Sequence, residues 1–212
     1  AELGLGQVLD IVPNHMAVGA RNHNWWDVLE NGPSSRFATW FDIDWHSSEV
    51  KLQNKVLIPV LGDQYGRVLT AGQIQIDRER GSLCVRYAEH PYPLSPRSVP
   101  IILDRAARYV NSPTLSFLSD SLMRLPLPEA TDVEGIESRH RDKVVIYDLL
   151  QRFCEEHPEA LKAIDKAVVE LNADYDALDE LLNRQHYRLA YWRTADQELG
   201  YRRFFDVNSL VG

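Results

Sequence analysis

The residues with the clearest chemical potential stand near the start of the chain, in the segment Asp10–His15 (DIVPNH). The apolar run Val8–Val12 is typical of a strand that is buried on both faces of a parallel sheet. Pro13 cannot donate to a sheet, so the strand should end there and release the following polar residues into a loop. Polar residues at the carboxyl end of a parallel strand are where α/β enzymes place their sites. The alternative is a plain core strand in which backbone donors satisfy Asp10 and His15 is an ordinary loop residue.

Aromatic residues form a second candidate, because four of the five tryptophans stand between residues 25 and 45. They are Trp25, Trp26, Trp40 and Trp45. An aromatic face packs well against the apolar face of a sugar ring, which favours a carbohydrate site. The alternative is that these rings form the core of a long loop, and we favour it for most of them because aromatic side chains dominate buried area wherever they occur.

Two other polar groups carry weaker signals. Asp42 and Asp44 alternate around Ile43, but two carboxylates without regular ligand spacing do not define a metal site. Polar and aromatic side chains crowd into Gln185–Arg193 (QHYRLAYWR). That segment is either an amphipathic helix docked on a sheet or a contributor to a substrate cleft, where Arg and Trp often converge.

Asp10–His15 closely resembles the first conserved segment of the α-amylase superfamily of (β/α)8-barrel glucanases. In that superfamily the segment lies on the third barrel strand, and its final His contacts the sugar beside the bond that is broken. The resemblance implies a substrate-binding role for three residues here. His15 would donate hydrogen bonds to sugar hydroxyls, Asn14 would hold the loop, and Asp10 would fix an arginine of a neighbouring strand.

Later motifs resemble one family within this superfamily, the maltooligosyl trehalose synthases. These motifs are His23–Gly32 (HNWWDVLENG), Phe41–Trp45 (FDIDW), Gln185–Arg193 and Tyr201–Asp206 (YRRFFD). The resemblance extends over essentially the whole chain. It implies an enzyme that converts the reducing-end α-1,4 bond of a maltooligosaccharide into an α,α-1,1 bond by intramolecular transglucosylation. Its partner would be the oligosaccharide, and no cofactor or metal is implied.

The catalytic carboxylates of such an enzyme have no match in this sequence. The superfamily carries its nucleophile in a Gly-x-Arg-x-Asp segment, whereas Asp206 follows Arg203 by three residues instead of two. We therefore assign no catalytic residue and expect the nucleophile and the acid/base beyond Gly212. The chain also starts without an initiator Met and enters a core-type strand almost at once. We expect it to be an internal piece of a larger enzyme and to be inactive alone.

Composition excludes several classes of protein. The 212 residues carry a net charge of −8, which argues against a nucleic-acid partner because such proteins present a basic face. No stretch approaches the roughly 20 apolar residues of a membrane span. The two cysteines, Cys84 and Cys154, suggest no disulfide framework, which fits a reducing compartment. We expect a cytoplasmic protein without a nucleic-acid or membrane partner.

The predicted fold class is α+β, as an excised insertion of a (β/α)8-barrel glucanase. We divide the chain into a barrel-strand segment with a Trp-rich loop (1–54), a small antiparallel β-subdomain (55–98) and a mainly helical subdomain ending in a short strand (99–212). In the β-subdomain we predict strands at Val56–Leu61, around Val68, around Ile74–Ile76 and at Leu83–Tyr87. An extended proline-rich linker follows as far as Pro100.

Apolar residues at helical spacing predict a series of helices from residue 99 onward. One stripe comprises Val145, Leu149 and Phe153, and the last comprises Leu178, Leu181, Leu182, Gln185, Leu189 and Trp192. Two alternatives to the trehalose-forming enzyme remain. The chain is either part of another α-amylase-superfamily glucosidase or transferase, or a non-catalytic helical module whose apolar stripes bind a partner.

Overall fold

A computed structural model describes residues 18–47, 49–79 and 82–193 of the chain. Its helices are α1 (His23–Asn31), α2 (Tyr65–Thr70), α3 (Pro100–Val110), α4 (Pro113–Met123), α5 (Val133–Glu156), α6 (Pro158–Ala173) and α7 (Tyr175–Asn183). Its strands are β1 (Val56–Leu61), β2 (Ile74–Glu79), β3 (Ser82–Tyr87), β4 (His90–Pro93) and β5 (Tyr187–Tyr191). Three short 3-10 helices lie at Gly32–Ser34, Ala38–Trp40 and Val50–Leu52. A small antiparallel sheet followed by helices confirms the mixed α+β class, and the barrel parent stays a prediction.

The antiparallel sheet has the order β2-β3-β4. Ile74 pairs with Tyr87 and Ile76 with Val85, so alternate residues of β2 point into the core. Ile74 and Ile76 are buried, as their alternation with polar residues predicts. On β2, the Ile76 N–H donates to the Asn172 side chain (2.7 Å), and the Asn172 amide donates back to the Ile76 carbonyl (2.8 Å). A side chain of α6 thus satisfies backbone groups of the edge strand, which is one way to protect such an edge.

Val56–Leu61 belongs to a different sheet from the predicted one. It pairs in parallel with β5, with Val56 opposite Tyr187 and Ile58 opposite Leu189. The prediction of an antiparallel pairing was wrong because the partner strand lies about 130 residues further along the chain, beyond the reach of local pattern. The ladder joins a strand of the predicted β-subdomain to the predicted helical region. The domain boundaries themselves stay a prediction.

Three other local predictions were wrong. Val68 lies in α2 and not in a strand, and His90–Pro93 forms β4 where an extended linker was predicted. The last helix ends at Asn183, and the residues from Tyr187 form β5 instead of extending the helical stripe to Trp192. For β4 and β5, pairing with a neighbouring strand outweighed the local preference, which is a weak prior for short segments.

The helical region follows its local signals more closely. Ser112 caps α4 by accepting a hydrogen bond from the Leu115 N–H at 3.3 Å, and Pro113 occupies the first helical position, which suits a residue without an N–H group. Helix α5 is an exception. Its predicted stripe residues Val145 and Leu149 are exposed, and its buried residues are Arg139, His140, Lys143 and Ile146. The long helix therefore turns a polar face inward.

Helices α3 and α6 form the apolar centre of the molecule. Their buried residues are Pro100, Ile102, Leu103, Ala106 and Ala107 on α3, with Ala160, Ala163, Ile164, Ala167 and Leu171 on α6. Alanine side chains allow two helix backbones to approach closely, and the larger residues fill the space between them. Within the described part of the chain, no helix is both long and apolar enough to cross a membrane.

Candidate functional site

Helix α1 is the element around which the candidate site is built. Its N-terminus is capped by Asn22, whose side chain accepts hydrogen bonds from the N–H groups of Asn24 (3.0 Å) and Trp25 (3.3 Å). It ends at Gly32, which has a φ of 62° that favours glycine. One face of α1 is apolar and packs on β4, and the other carries acidic residues toward α5.

The acidic face of α1 is paired with a basic face of α5. The Lys143 ammonium lies 2.6 Å from the Glu30 carboxylate and 4.0 Å from Asp27. Asp27 also accepts a hydrogen bond from the Ser35 hydroxyl at 2.5 Å and lies 3.6 Å from His140. All four charged or titratable side chains are less than one fifth exposed. Charges this deeply buried are stable only as partners of one another.

His140 is held in its neutral form in this cluster. Burial lowers the pKa of His140, and the nearby Lys143 and Arg36 lower it further, while Asp27 opposes them. One ring nitrogen, Nε2, lies 3.3 Å from the Ser34 carbonyl, which can only accept, so Nε2 carries the proton. A neutral imidazole at pH 7 fits a structural position whose protonation would cost stability.

Arg139 joins this cluster to the segment that precedes β5. Its guanidinium is fully buried and donates from Nε to the Asn31 side chain (3.3 Å) and from Nη1 to the Pro126 carbonyl (2.5 Å). Its Nη2 has no hydrogen-bond partner among the described residues. The charge of Arg139 also acts on His186, whose pKa is lowered to about 3, mainly by burial. Both histidines next to Arg139 are therefore neutral.

Gln185 and His186 are fixed in a buried turn between α7 and β5. The Gln185 side chain accepts from the Ser95 N–H (2.7 Å), and the Ser95 hydroxyl lies 3.3 Å from His186 Nε2. A Cβ atom added at Gly32 would lie 2.7 Å from the His186 ring, so only glycine allows this approach. The His23–Gly32 and Gln185–Arg193 motifs, which are more than 150 positions apart, thus meet in the structure.

The Phe41–Trp45 motif lies against the same helix. The Phe41 ring is 4.9 Å from the Trp25 ring, and Trp25 is only 4% exposed. This confirms the core interpretation for Trp25, whereas Trp40 is 53% exposed. Among the described residues, two further motifs of the family resemblance, Phe41–Trp45 and Gln185–Arg193, therefore contact the motif that contains α1.

A cleft lies on the apolar side of α1, with a volume of about 230 Å³. It is lined by Val18, Gly19, Ala20, Trp25, Trp26, Leu29, Ile58, Val60, His90, Pro91 and Tyr92. The lining combines the helix, strand β1 and the start of β4. Clefts of mainly apolar and aromatic lining with a few polar groups are the usual form of a ligand site.

A second polar cluster lies near the start of β5. The Tyr65 hydroxyl donates to Asp179 at 2.6 Å, and burial with this hydrogen bond raises the pKa of Tyr65. Lys55 donates to the Asn183 carbonyl, and burial together with the charge of Arg188 lowers the pKa of Lys55. The hollow between these side chains has a volume of about 10 Å³, which is room for one water at most.

The predicted substrate-binding residues Asp10, Asn14 and His15 lie outside the described residues, as does Tyr201–Asp206. Asp44 accepts a hydrogen bond from the His46 N–H at 2.9 Å and so stabilises a turn. In the part of the chain that the structure describes, no group of three or more His, Cys, Asp or Glu side chains has the arrangement of a metal site.

The buried charges of α1 and α5 were not predicted. We predicted that the apolar stripe of Val145 and Leu149 is the buried face of α5. The available signal was the spacing of Arg139, His140 and Lys143, which places three cationic or titratable groups on one side of α5. The spacing alone does not predict a buried face, because burial of these groups requires acidic partners that come from a distant part of the chain.

Comparison with known proteins supports the resemblance of the motifs. No family model matches the chain. Two similar curated proteins are putative maltooligosyl trehalose synthases of Mycobacterium tuberculosis, from strains CDC 1551 / Oshkosh and ATCC 25618 / H37Rv. Each is 44% identical over 61 residues, which is 28% of this chain and 8% of the relative. The matched stretch therefore spans less than a tenth of the length of these relatives.

A solved structure, DSM5389 glycosyltrehalose synthase, is also similar to the chain. It is 20% identical with a TM-score of 0.49, and the match covers 93% of this chain and 17% of that chain. The resemblance to maltooligosyl trehalose synthases that the motifs predict is confirmed by the names of the two curated relatives.

Proposed function

We propose that the chain is a segment of a maltooligosyl trehalose synthase that acts on maltooligosaccharides in the cytoplasm. The observation that carries this proposal is the 44% identity over 61 residues to two putative enzymes of that name. The reaction would convert the reducing-end α-1,4 bond into an α,α-1,1 bond by intramolecular transglucosylation. Because the match covers 8% of each relative, the activity belongs to a longer protein built on a (β/α)8 barrel.

The chemistry needs a nucleophilic carboxylate and a second carboxyl group as acid and base, about 5–5.5 Å apart in a retaining enzyme. Two carboxylates of the candidate site, Asp27 and Glu30, both lie within ion-pair distance of Lys143 on the side of α1 that packs on α5. In this proposal they support the fold and do not act on substrate. We place the reacting carboxylates outside this chain, because no Gly-x-Arg-x-Asp segment is found in its sequence, and we expect the chain alone to be inactive.

In this proposal the opening segment supplies substrate contacts. His15 donates hydrogen bonds to the sugar whose bond is broken, Asn14 holds the loop, and Asp10 pairs with an arginine. A contact that strengthens as the ring flattens toward an oxocarbenium-like state stabilises the transition state more than the bound substrate. The roles of these three residues rest on the family resemblance of Asp10–His15.

The test uses the full-length gene product with maltopentaose as substrate. We expect reducing ends to disappear without release of glucose or maltose, and His15→Ala to lower kcat by roughly 10–1000-fold with a smaller change in KM. The purified 212-residue chain should show no turnover in the same assay. Release of shorter sugars with new reducing ends would instead identify another hydrolase or transferase of the superfamily.

A second candidate function is a non-catalytic interaction module, and the exposed apolar residues of α5 favour it. Val144, Val145 and Leu149 are between 45% and 62% exposed, and exposed apolar residues that lie together are typical of an interaction surface. Absence of any sugar conversion by the full-length product, together with stable association of the chain with a partner through these residues, would support the module and exclude the enzyme.

A further inference from the structure

We propose that the cleft beside α1 is a subsite for one neutral pyranose ring of an α-1,4-glucan, with Trp26 as its stacking surface. The identity of the glucan rests on the proposed function, whereas the existence of the subsite rests on the structure. The residues that line the cleft are different from Asp10, Asn14 and His15, the residues that the family resemblance assigns to the reacting bond. It would bind a glucose unit of the chain being processed.

The volume of the cleft suits one ring. Its 230 Å³ far exceeds the roughly 10–15 Å³ that a single water requires, and it is somewhat below the roughly 300 Å³ at the lower end of ordinary ligand pockets. By contrast, the hollow beside Lys55 has only about 10 Å³. The cleft is therefore the better place among the described residues for a small ring.

The described residues that line the cleft favour an uncharged ligand. The chain has 23 basic and 31 acidic residues, yet none of the eleven described residues that line the cleft is Asp, Glu, Lys or Arg. An ionic ligand would lose its hydration there without gaining a charged partner. A neutral ligand with an apolar face has no such cost, and a pyranose ring presents that face.

The neighbouring residues Trp25 and Trp26 differ in exposure and contacts. Trp25 is 4% exposed and packs against Phe41, so its indole belongs to the core. Trp26 is half-buried and lines the cleft, so part of its indole stays accessible to a ligand. His90, exposed at the start of β4, also lines the cleft, and its ring nitrogens can form hydrogen bonds with sugar hydroxyls.

The binding test uses the 212-residue chain and maltotriose, followed by NMR of the indole N–H groups. The five tryptophans give at most five indole signals, and the Trp26 signal is the one missing from Trp26→Phe. We expect maltotriose to shift that signal, Trp26→Ala to weaken binding by about tenfold, and Trp26→Phe to weaken it by less. The matched control is Trp40→Ala, because Trp40 is an exposed tryptophan outside the cleft.

Two results would overturn the subsite. One is a folded chain, by its thermal melt, whose Trp26 signal does not respond to tens of millimolar maltotriose. The other is equal binding by Trp26→Ala and Trp40→Ala. In the full-length product, Trp26→Ala should raise KM for long maltooligosaccharides with little change in kcat. Turnover that is insensitive to this change refutes the subsite alone, whereas absence of turnover with intact maltotriose binding refutes only the proposed function.

Discussion

Two helix interfaces of this molecule are built on opposite principles. Between α3 and α6 the buried residues are apolar, with alanines that bring the backbones together. Between α1 and α5 the contact is made by long polar side chains, chiefly Lys143 with Glu30 and Arg139 with Asn31. The α3–α6 interface should tolerate single substitutions, because dispersion and apolar burial do not depend on one particular partner residue.

The second interface depends on each partner. Replacing one apolar side chain removes its own contacts, whereas removing one member of a buried ion pair leaves the other charge without compensation. The α1–α5 interface also fixes the motifs that surround the cleft. We therefore expect changes there to affect stability and the shape of the candidate site together.

The largest effect should come from Lys143→Met, which leaves Glu30 and Asp27 buried without their cation. We expect a loss of about 3–5 kcal/mol in the free energy of unfolding, measured by urea denaturation. Lys162→Met is the matched control, because Lys162 is exposed on α6 and should change stability by at most about 0.5 kcal/mol. Pairing Lys143→Met with Glu30→Gln should recover part of the loss. A loss below about 1 kcal/mol would mean that the ion pair is not a structural requirement.

The second largest effect should come from acidification, which lowers the free energy of unfolding through the buried His186. The pKa of His186 is about 3 in the folded chain, below the roughly 6.5 of a solvated histidine, because of burial and the charges of Arg139 and Lys55. Because the pKa is lower in the folded chain, the contribution of His186 to the free energy of unfolding is fully present above pH 6.5. It is lost as the pH falls from 6.5 toward the pKa of the folded chain. The loss from this residue should reach about 3 kcal/mol by pH 4.5.

The measurement is unfolding by urea at pH 7.5, 6 and 4.5 for the wild-type chain and His186→Gln. The variant should lose the part of the pH dependence that His186 causes, whereas His46→Gln, at an exposed position, should keep it. Parallel pH profiles for the wild type and His186→Gln would show that His186 is not buried in its neutral form.

The smallest effect should come from Ile164→Val in the α3–α6 interface. Ile164 is 4% exposed, and removing one methylene group from a packed core costs about 0.5–1.5 kcal/mol. The α1–α5 motifs should be unaffected, so maltotriose binding should stay at the wild-type level. A loss as large as that of Lys143→Met would contradict the contrast between the two interfaces.

Local sequence determined the positions of most helices after residue 99 and the alternation of β2. Ser112 with Pro113 begins α4, and Pro158 separates α5 from α6, because capping and the missing proline N–H act within a few residues. Gly32 ends α1 for the same kind of reason. The family motifs also gave the resemblance that the similar proteins support, while the roles of Asp10, Asn14 and His15 stay predictions.

Tertiary structure alone decided which strand β1 pairs with and which face of α5 is buried. Glu30 and Lys143 are 113 positions apart, and Asn31 and Arg139 are 108 apart, so no window of local sequence contains both partners. A buried charge is favourable only when its partner is present at a few ångströms, and that distance is a property of the folded chain. For this reason the apolar stripe of Val145 and Leu149 looked like the buried face of α5, although the polar face with Arg139 and Lys143 is the one that the fold encloses.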